Sequence, residues 1–132
     1  MSYGLDTSVL VRLLTGEPAA TTARVRDRLL EAHRLRQPVV ACDAAVSEAY
    51  AALKYHYDLD PADIRQSLLA MFASGLVSPE PGSAALAVLQ SKAGGKAGFV
   101  DRLIQARYEA DGMTTLTVDK AQARLGRSEY IG

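Results

Sequence analysis

Short apolar runs alternate along this chain with stretches of helical periodicity, and no two of those runs are joined by a two-residue hairpin turn. A chain so patterned builds βαβ units, because parallel strands need long crossovers and helices supply them. The expected fold class is therefore α/β, with a parallel sheet covered by helices on both faces. In such sheets the reactive crevice lies beyond the carboxyl ends of the strands.

Five strand candidates follow from the apolar runs: Tyr3 to Asp6, Pro38 to Cys42, Leu76 to Ser78, Met113 to Val118, and an edge strand around Tyr130-Ile131. Between them, Thr7 or Ser8 caps a helix carrying Val9, Leu10, Leu13 and Leu14. A long helix runs from Ala19 to about Arg36, with Ala23, Leu29, Leu30 and Leu35 available for burial, and Pro38 stops it. Asp43 reads as the cap of a helix from Ala44 to Tyr57, and Asp60-Pro61 opens another from Ala62 to about Ser74. Further helices are expected from Ser83 to about Ala93, from Phe99 to Asp111 with Gly112 as terminator, and over Ala121, Ala123 and Leu125.

A length of 132 residues suits a single domain spanning residues 1–132, and 48% hydrophobic with 23% charged residues is a globular balance. The formal net charge is zero, so no bulk positive field draws the chain to a polyanion, and any such partner must be gripped locally. The basic run Arg24, Arg26, Arg28, His33, Arg34 and Arg36 is diluted by Asp27 and Glu31 and reads as a solvated helix face. One cysteine, Cys42, excludes an internal disulfide and a thiolate zinc cage, and it points to a cytoplasmic protein with Cys42 packed at a strand end. No segment approaches the ~18 apolar residues of a membrane span.

The chemistry lies in the acids. Asp6 and Asp119 each follow an apolar run directly, so a parallel sheet brings both to one edge, and Asp101 in the first turn of its helix can face that edge too. Glu48 flanks an apolar stripe of Val46, Ala49, Tyr50 and Leu53, a position poorly suited to solvent. Crowded carboxylates repel one another and favour the protonated form unless a cation joins them. Mg²⁺ or Mn²⁺ takes such oxygen ligands and lowers the pKa of a bound water, so cleavage of a phosphodiester needs no side-chain nucleophile.

Leu5-Asp6-Thr7-Ser8-Val9-Leu10, Val46-Ser47-Glu48-Ala49, Phe99-Val100-Asp101-Arg102-Leu103-Ile104 and Thr117-Val118-Asp119-Lys120 resemble, in order and spacing, the four acidic motifs of PIN domains. Each motif alone is commonplace; four in order, over nearly the whole chain, are specific. At this length the chain most resembles the VapC-type toxins of bacterial and archaeal toxin–antitoxin pairs. That resemblance implies a three-layer α/β/α sandwich with a short parallel sheet, Mg²⁺- or Mn²⁺-dependent RNA cleavage, a homodimer, and inhibition by a cognate VapB-type antitoxin. It also implies that Asp6, Glu48, Asp101 and Asp119 form the metal-binding and catalytic site, with Ser8 and Thr117 as polar support. Gly98-Phe99-Val100 stands before Asp101 where PIN domains often carry a further small or acidic residue, which leaves one or two ions open.

Other features carry less. Gly94-Gly95-Lys96-Ala97-Gly98 lacks the Gly-Lys-Ser/Thr ending of a phosphate loop, although Lys96, like Arg12, is a candidate for touching an RNA phosphate. Tyr50 and Tyr57 fall on a helical apolar stripe and suit a core or a dimer seam formed by residues 44–74. His33 and His56 lack the spacing of metal ligands. Two competing readings are a PIN-fold module that binds RNA or protein without catalysis, and a receiver-like Mg²⁺-binding signalling domain. The second needs a phosphorylatable mid-chain Asp at a strand end and leaves Glu48 without a role.

Overall fold

The computed structural model describes residues 1–91 and 98–132, which form two compact units, Met1–Ser83 and Ala84–Gly132. The Gly94 to Ala97 stretch, with Lys96, lies outside the described residues, as does the expected last turn of the helix reaching Ala93.

In the first unit β1 (Tyr3–Gly4), β2 (Val39–Ala41) and β3 (Ser78–Pro79) form a parallel sheet in that order, with Tyr3 beside Val39 and Val40 beside Ser78. The Tyr3 amide donates to the Pro38 carbonyl at 2.8 Å and the Leu5 amide to Val40 at 2.9 Å, so strand geometry reaches the residue before Asp6. The third strand starts two residues later than the apolar run Leu76 to Ser78 suggests. Val77 is buried all the same, and Pro79, which has no amide hydrogen to donate, is tolerated because β3 is an edge strand.

Helices α1 (Thr7–Thr15), α2 (Ala19–Arg34), α3 (Asp43–Tyr55) and α4 (Pro61–Ala73) surround this sheet's core, with α1 packed on both α2 and α3. Leu10, Val46, Ala49, Ile64 and Leu68 are almost wholly removed from solvent, the aliphatic stripe that helical periodicity requires. Gly16 ends α1 at φ 73°, a left-handed conformation open to glycine, and Asp60 caps α4 by accepting the Ala62 amide at 2.8 Å. The buried line of α2 is Thr22, Leu29 and Ala32, so Leu30 and Leu35 are left exposed, and Ala23 is exposed too. The α2 arginines are solvated as expected, with Arg34 paired to Glu31 at 2.7 Å and Arg28 over the Tyr3 ring at 4.9 Å. Tyr50 is core, but α3 stops at Tyr55 and leaves Tyr57 exposed beyond its end. Cys42 is exposed rather than packed: Ala41 points inward from β2, so the next extended residue faces out.

The second unit holds α5 (Ala84–Gln90), α6 (Phe99–Ala110), β4 (Thr115–Thr117), α7 (Lys120–Ala123) and β5 (Ser128–Tyr130). Strands β4 and β5 are parallel, with Thr115 beside Ser128 and Thr117 beside Tyr130, and α7 is the crossover between them. The last strand falls two residues earlier than the Tyr130-Ile131 pair suggests. Among the described residues no helix is long and apolar enough to cross a membrane.

Candidate active site

Asp6 stands at the junction of β1 and α1 in extended backbone, φ −76° and ψ 156°, and its carbonyl accepts the Val9 amide at 3.1 Å. It thus holds the N-cap position expected of Thr7 or Ser8. Its carboxylate does not perform the capping, however. Instead the Ser8 hydroxyl donates to Asp6 Oδ2 at 2.7 Å. That bond, helped by the nearby Ser8 and Thr7 amides, holds the exposed Asp6 carboxyl below the usual carboxylate range and keeps it charged.

Glu48 lies on α3, next to the buried positions Ala45, Val46 and Ala49, yet its side chain is exposed. The sequence argument that this position suits solvent poorly is corrected: Glu48 sits at the rim of the stripe, where a long carboxylate reaches water. Its fixed neighbour is Thr7, whose hydroxyl donates to Glu48 Oε2 at 3.0 Å. This bond ties Glu48 to the residue directly after Asp6, at the start of α1.

Two further acids lie at strand ends in this unit, Asp43, expected only as a helix cap, and Glu80, which the sequence reading did not single out. Asp43 follows β2 and Glu80 follows β3, and the Asp43 amide donates to Glu80 Oε2 at 2.5 Å while the Ser83 hydroxyl donates to Asp43 Oδ1 at 2.6 Å. Asp43 is the first residue of α3 rather than its cap, since Cys42 holds that position. The rule that singled out Asp6, an acid directly after an apolar run, applies to Asp43 after Pro38 to Cys42, whereas Glu80 lies two residues beyond Leu76 to Ser78 and carries no such signal.

In the second unit Asp101 is half-buried in the first turn of α6, and its backbone carbonyl accepts the Gln122 side-chain amide at 3.1 Å. Asp119 is exposed and caps α7: Oδ1 accepts the Ala121 amide at 2.8 Å and, more weakly, the Gln122 amide at 3.4 Å. The Asp119 amide donates to Thr117 Oγ1 at 3.0 Å, so Thr117 fixes the backbone of that acid much as Ser8 fixes the carboxylate of Asp6. Gln122, which reaches both acids, and Gln105, which it meets, were not foreseen; a lone glutamine in a helical pattern carries no signal.

The structure therefore joins Asp6 to Glu48 through Thr7 in one unit, and Asp101 to Asp119 through Gln122 in the other. Among the described residues, no three His, Cys, Asp or Glu side chains are grouped closely enough to share an ion. Hard carboxylate oxygens are the donors that Mg²⁺ and Mn²⁺ prefer, and Mg²⁺ is commonly held by one or two of them with retained waters. Asp6, charged and free of cap duty, fits that demand best.

The family model of the PIN domain matches residues 3–128. The chain belongs to the PIN-domain family. PIN domains are α/β proteins with short parallel strands, as observed in each unit here, and they are generally nucleases that use divalent metals. The receiver-like alternative finds no support in this match. A search of curated proteins finds none that matches the chain.

Proposed function

We propose that this PIN domain is a metal-dependent endoribonuclease acting as the toxin of a VapBC-type pair, with residues 1–132 working as one domain. The observation that carries the reading is the family match over residues 3–128, within which all four motif acids are present at strand ends or on helices. Asp6, Glu48, Asp101 and Asp119 would hold Mg²⁺ or Mn²⁺. The bound ion supplies a water of lowered pKa and shields the phosphate oxygens as charge develops.

The chain's own residues prepare for that ion. Ser8 keeps Asp6 deprotonated and its Oδ2 oriented, Thr7 tethers Glu48, and Thr117 fixes the backbone of Asp119. Asp119 spends Oδ1 on the α7 cap, which leaves Oδ2 outside the cap, where it would be available to an ion.

An antitoxin segment offering an arginine to the acids would inhibit by supplying the charge that the ion otherwise brings. An apolar cleft of about 420 Å³ lined by Leu13, Leu14, Leu30, Met71 and Leu76 gives a protein partner a surface to cover. A homodimer would use the α3–α4 region, where Tyr55, Tyr57 and Leu59 are exposed. The reading places the protein in the cytoplasm.

The test is incubation of the purified protein with a mixed RNA pool. Cleavage should require Mg²⁺ or Mn²⁺, stop in excess EDTA, and be suppressed by Ca²⁺, which accepts looser coordination. Robust cleavage in EDTA, or none with either metal, would overturn it; the latter outcome favours a PIN module that only binds.

A further inference from the structure

The second unit contains a pair of buried amides, Gln105 on α6, four residues after Asp101, and Gln122 on α7. Gln105 and Gln122 are 4% and 6% exposed, so each polar atom they bury must find a partner. The Gln105 amide nitrogen donates to Glu109 Oε1 at 2.8 Å and to the Arg127 carbonyl at 2.9 Å, while its oxygen accepts the Ser128 hydroxyl at 2.6 Å. Its oxygen also accepts the Gln122 amide nitrogen at 3.4 Å, and that nitrogen donates to the Asp101 carbonyl at 3.1 Å. The orientation of Gln122 is thereby fixed: turned over, its oxygen would face two acceptors.

Helix α7 spans only Lys120–Ala123, too short to hold itself, so its place depends on such tertiary bonds. Gln122 sits against the backbone of both acids' elements at once. Its side chain donates to the Asp101 carbonyl at 3.1 Å, and its own backbone follows Ala121, whose amide the Asp119 carboxylate caps at 2.8 Å. We infer that Gln122 is a positioning residue that sets the spacing of Asp119 from Asp101, with Gln105 as the anchor that holds its amide in register. The inference rests on the acidic-site reading above and adds to it a determinant that is not itself a ligand.

The experiment measures Mn²⁺ binding to the full chain from the free-ion electron paramagnetic resonance signal, alongside circular dichroism and RNA cleavage. Gln122→Met keeps the volume and removes the donor; Gln122→Glu keeps the shape, removes the donor and adds a negative charge. Both variants should bind Mn²⁺ about tenfold or more weakly, as outer-sphere substitutions do, and cleavage should fall in kcat rather than in KM for RNA. Wild-type affinity in either folded variant overturns the positioning role. Tighter binding by Gln122→Glu also overturns it, because charge and not donor geometry would then govern the site. If Gln122→Met fails to fold, the shape-preserving Gln122→Glu decides. Wild-type protein that binds no Mn²⁺ sinks the acidic-site reading itself, an outcome distinct from a variant that binds as well as wild type.

Discussion

In the proposed site Asp119 combines a cap with a ligand role, and a pair of substitutions can separate the two. Its Oδ1 accepts the Ala121 amide at 2.8 Å, a full cap bond, and the Gln122 amide at 3.4 Å, which is too long to add much. One exposed cap of this kind is worth about 1 kcal/mol, and its loss from a domain of this size lowers Tm by roughly 3–5 °C. Asn caps as well as Asp, so Asp119→Asn should keep Tm within about 2 °C of wild type while removing the ligand charge. Asp119→Ala should lose both. Scanning calorimetry of the metal-free proteins, with an RNA cleavage assay in Mn²⁺, reads the two effects independently: both variants inactive, only the alanine variant less stable. A fully active Asp119→Asn would refute the ligand role, and an alanine variant as stable as the asparagine one would refute the cap.

Asp101→Asn should abolish cleavage and leave the metal-free Tm at or above wild type, since it relieves like-charge repulsion; an active variant with a lowered Tm would remove Asp101 from the site. Asp6 and Glu109 sit below their ordinary values of 3.8 and 4.5, the first through the Ser8 hydroxyl and the second through the Arg127 amide and Gln105. Because the folded carboxyls bind protons less tightly than the unfolded ones, their stabilisation is complete above about pH 5 and is lost as pH falls through the depressed values. Glu109→Gln should therefore flatten the acid limb of a Tm-against-pH curve, and an unchanged limb would count against the Gln105–Glu109–Arg127 cluster. Leu68→Ala, at a side chain 0% exposed, should cost about 2–5 kcal/mol in urea unfolding; a loss under about 1 kcal/mol would mean the core is not packed as described.

Much of this was legible in the sequence because period and punctuation are local properties. Alternating apolar runs and helical stripes foretold the parallel strands, and Asp6 and Asp119 fell just past strand ends because a charged residue directly after an apolar run marks where the run stops. What escaped depends on contacts between distant segments. Glu48 looked ill suited to solvent from its helix alone, but where the rim of α3 meets water is decided by α1 packing against it. The outward turn of Cys42 depends on the inward turn of Ala41, a matter of strand parity that a run of five apolar residues conceals. The Gln105 and Gln122 amides find each other across 17 positions, and no local pattern marks either one.

The two strand-end aspartates also show why one motif letter can hide two physical situations. Both occupy N-cap positions with extended backbone, φ −76° for Asp6 and −100° for Asp119. Yet α1 does without a side-chain cap, whereas α7 is held by one. Helix α1 runs nine residues and buries Leu10 and Val11, so packing stabilises it without a side-chain cap bond. Helix α7 runs four and has little such support, so its cap carbonyl and carboxylate matter more. The longer helix thereby releases the Asp6 carboxylate from structural duty, and Ser8 then holds it charged and oriented. In the proposed site Asp6 could therefore be devoted to a cation at almost no structural cost, while Asp119 would have to divide its two oxygens between the fold and the ion.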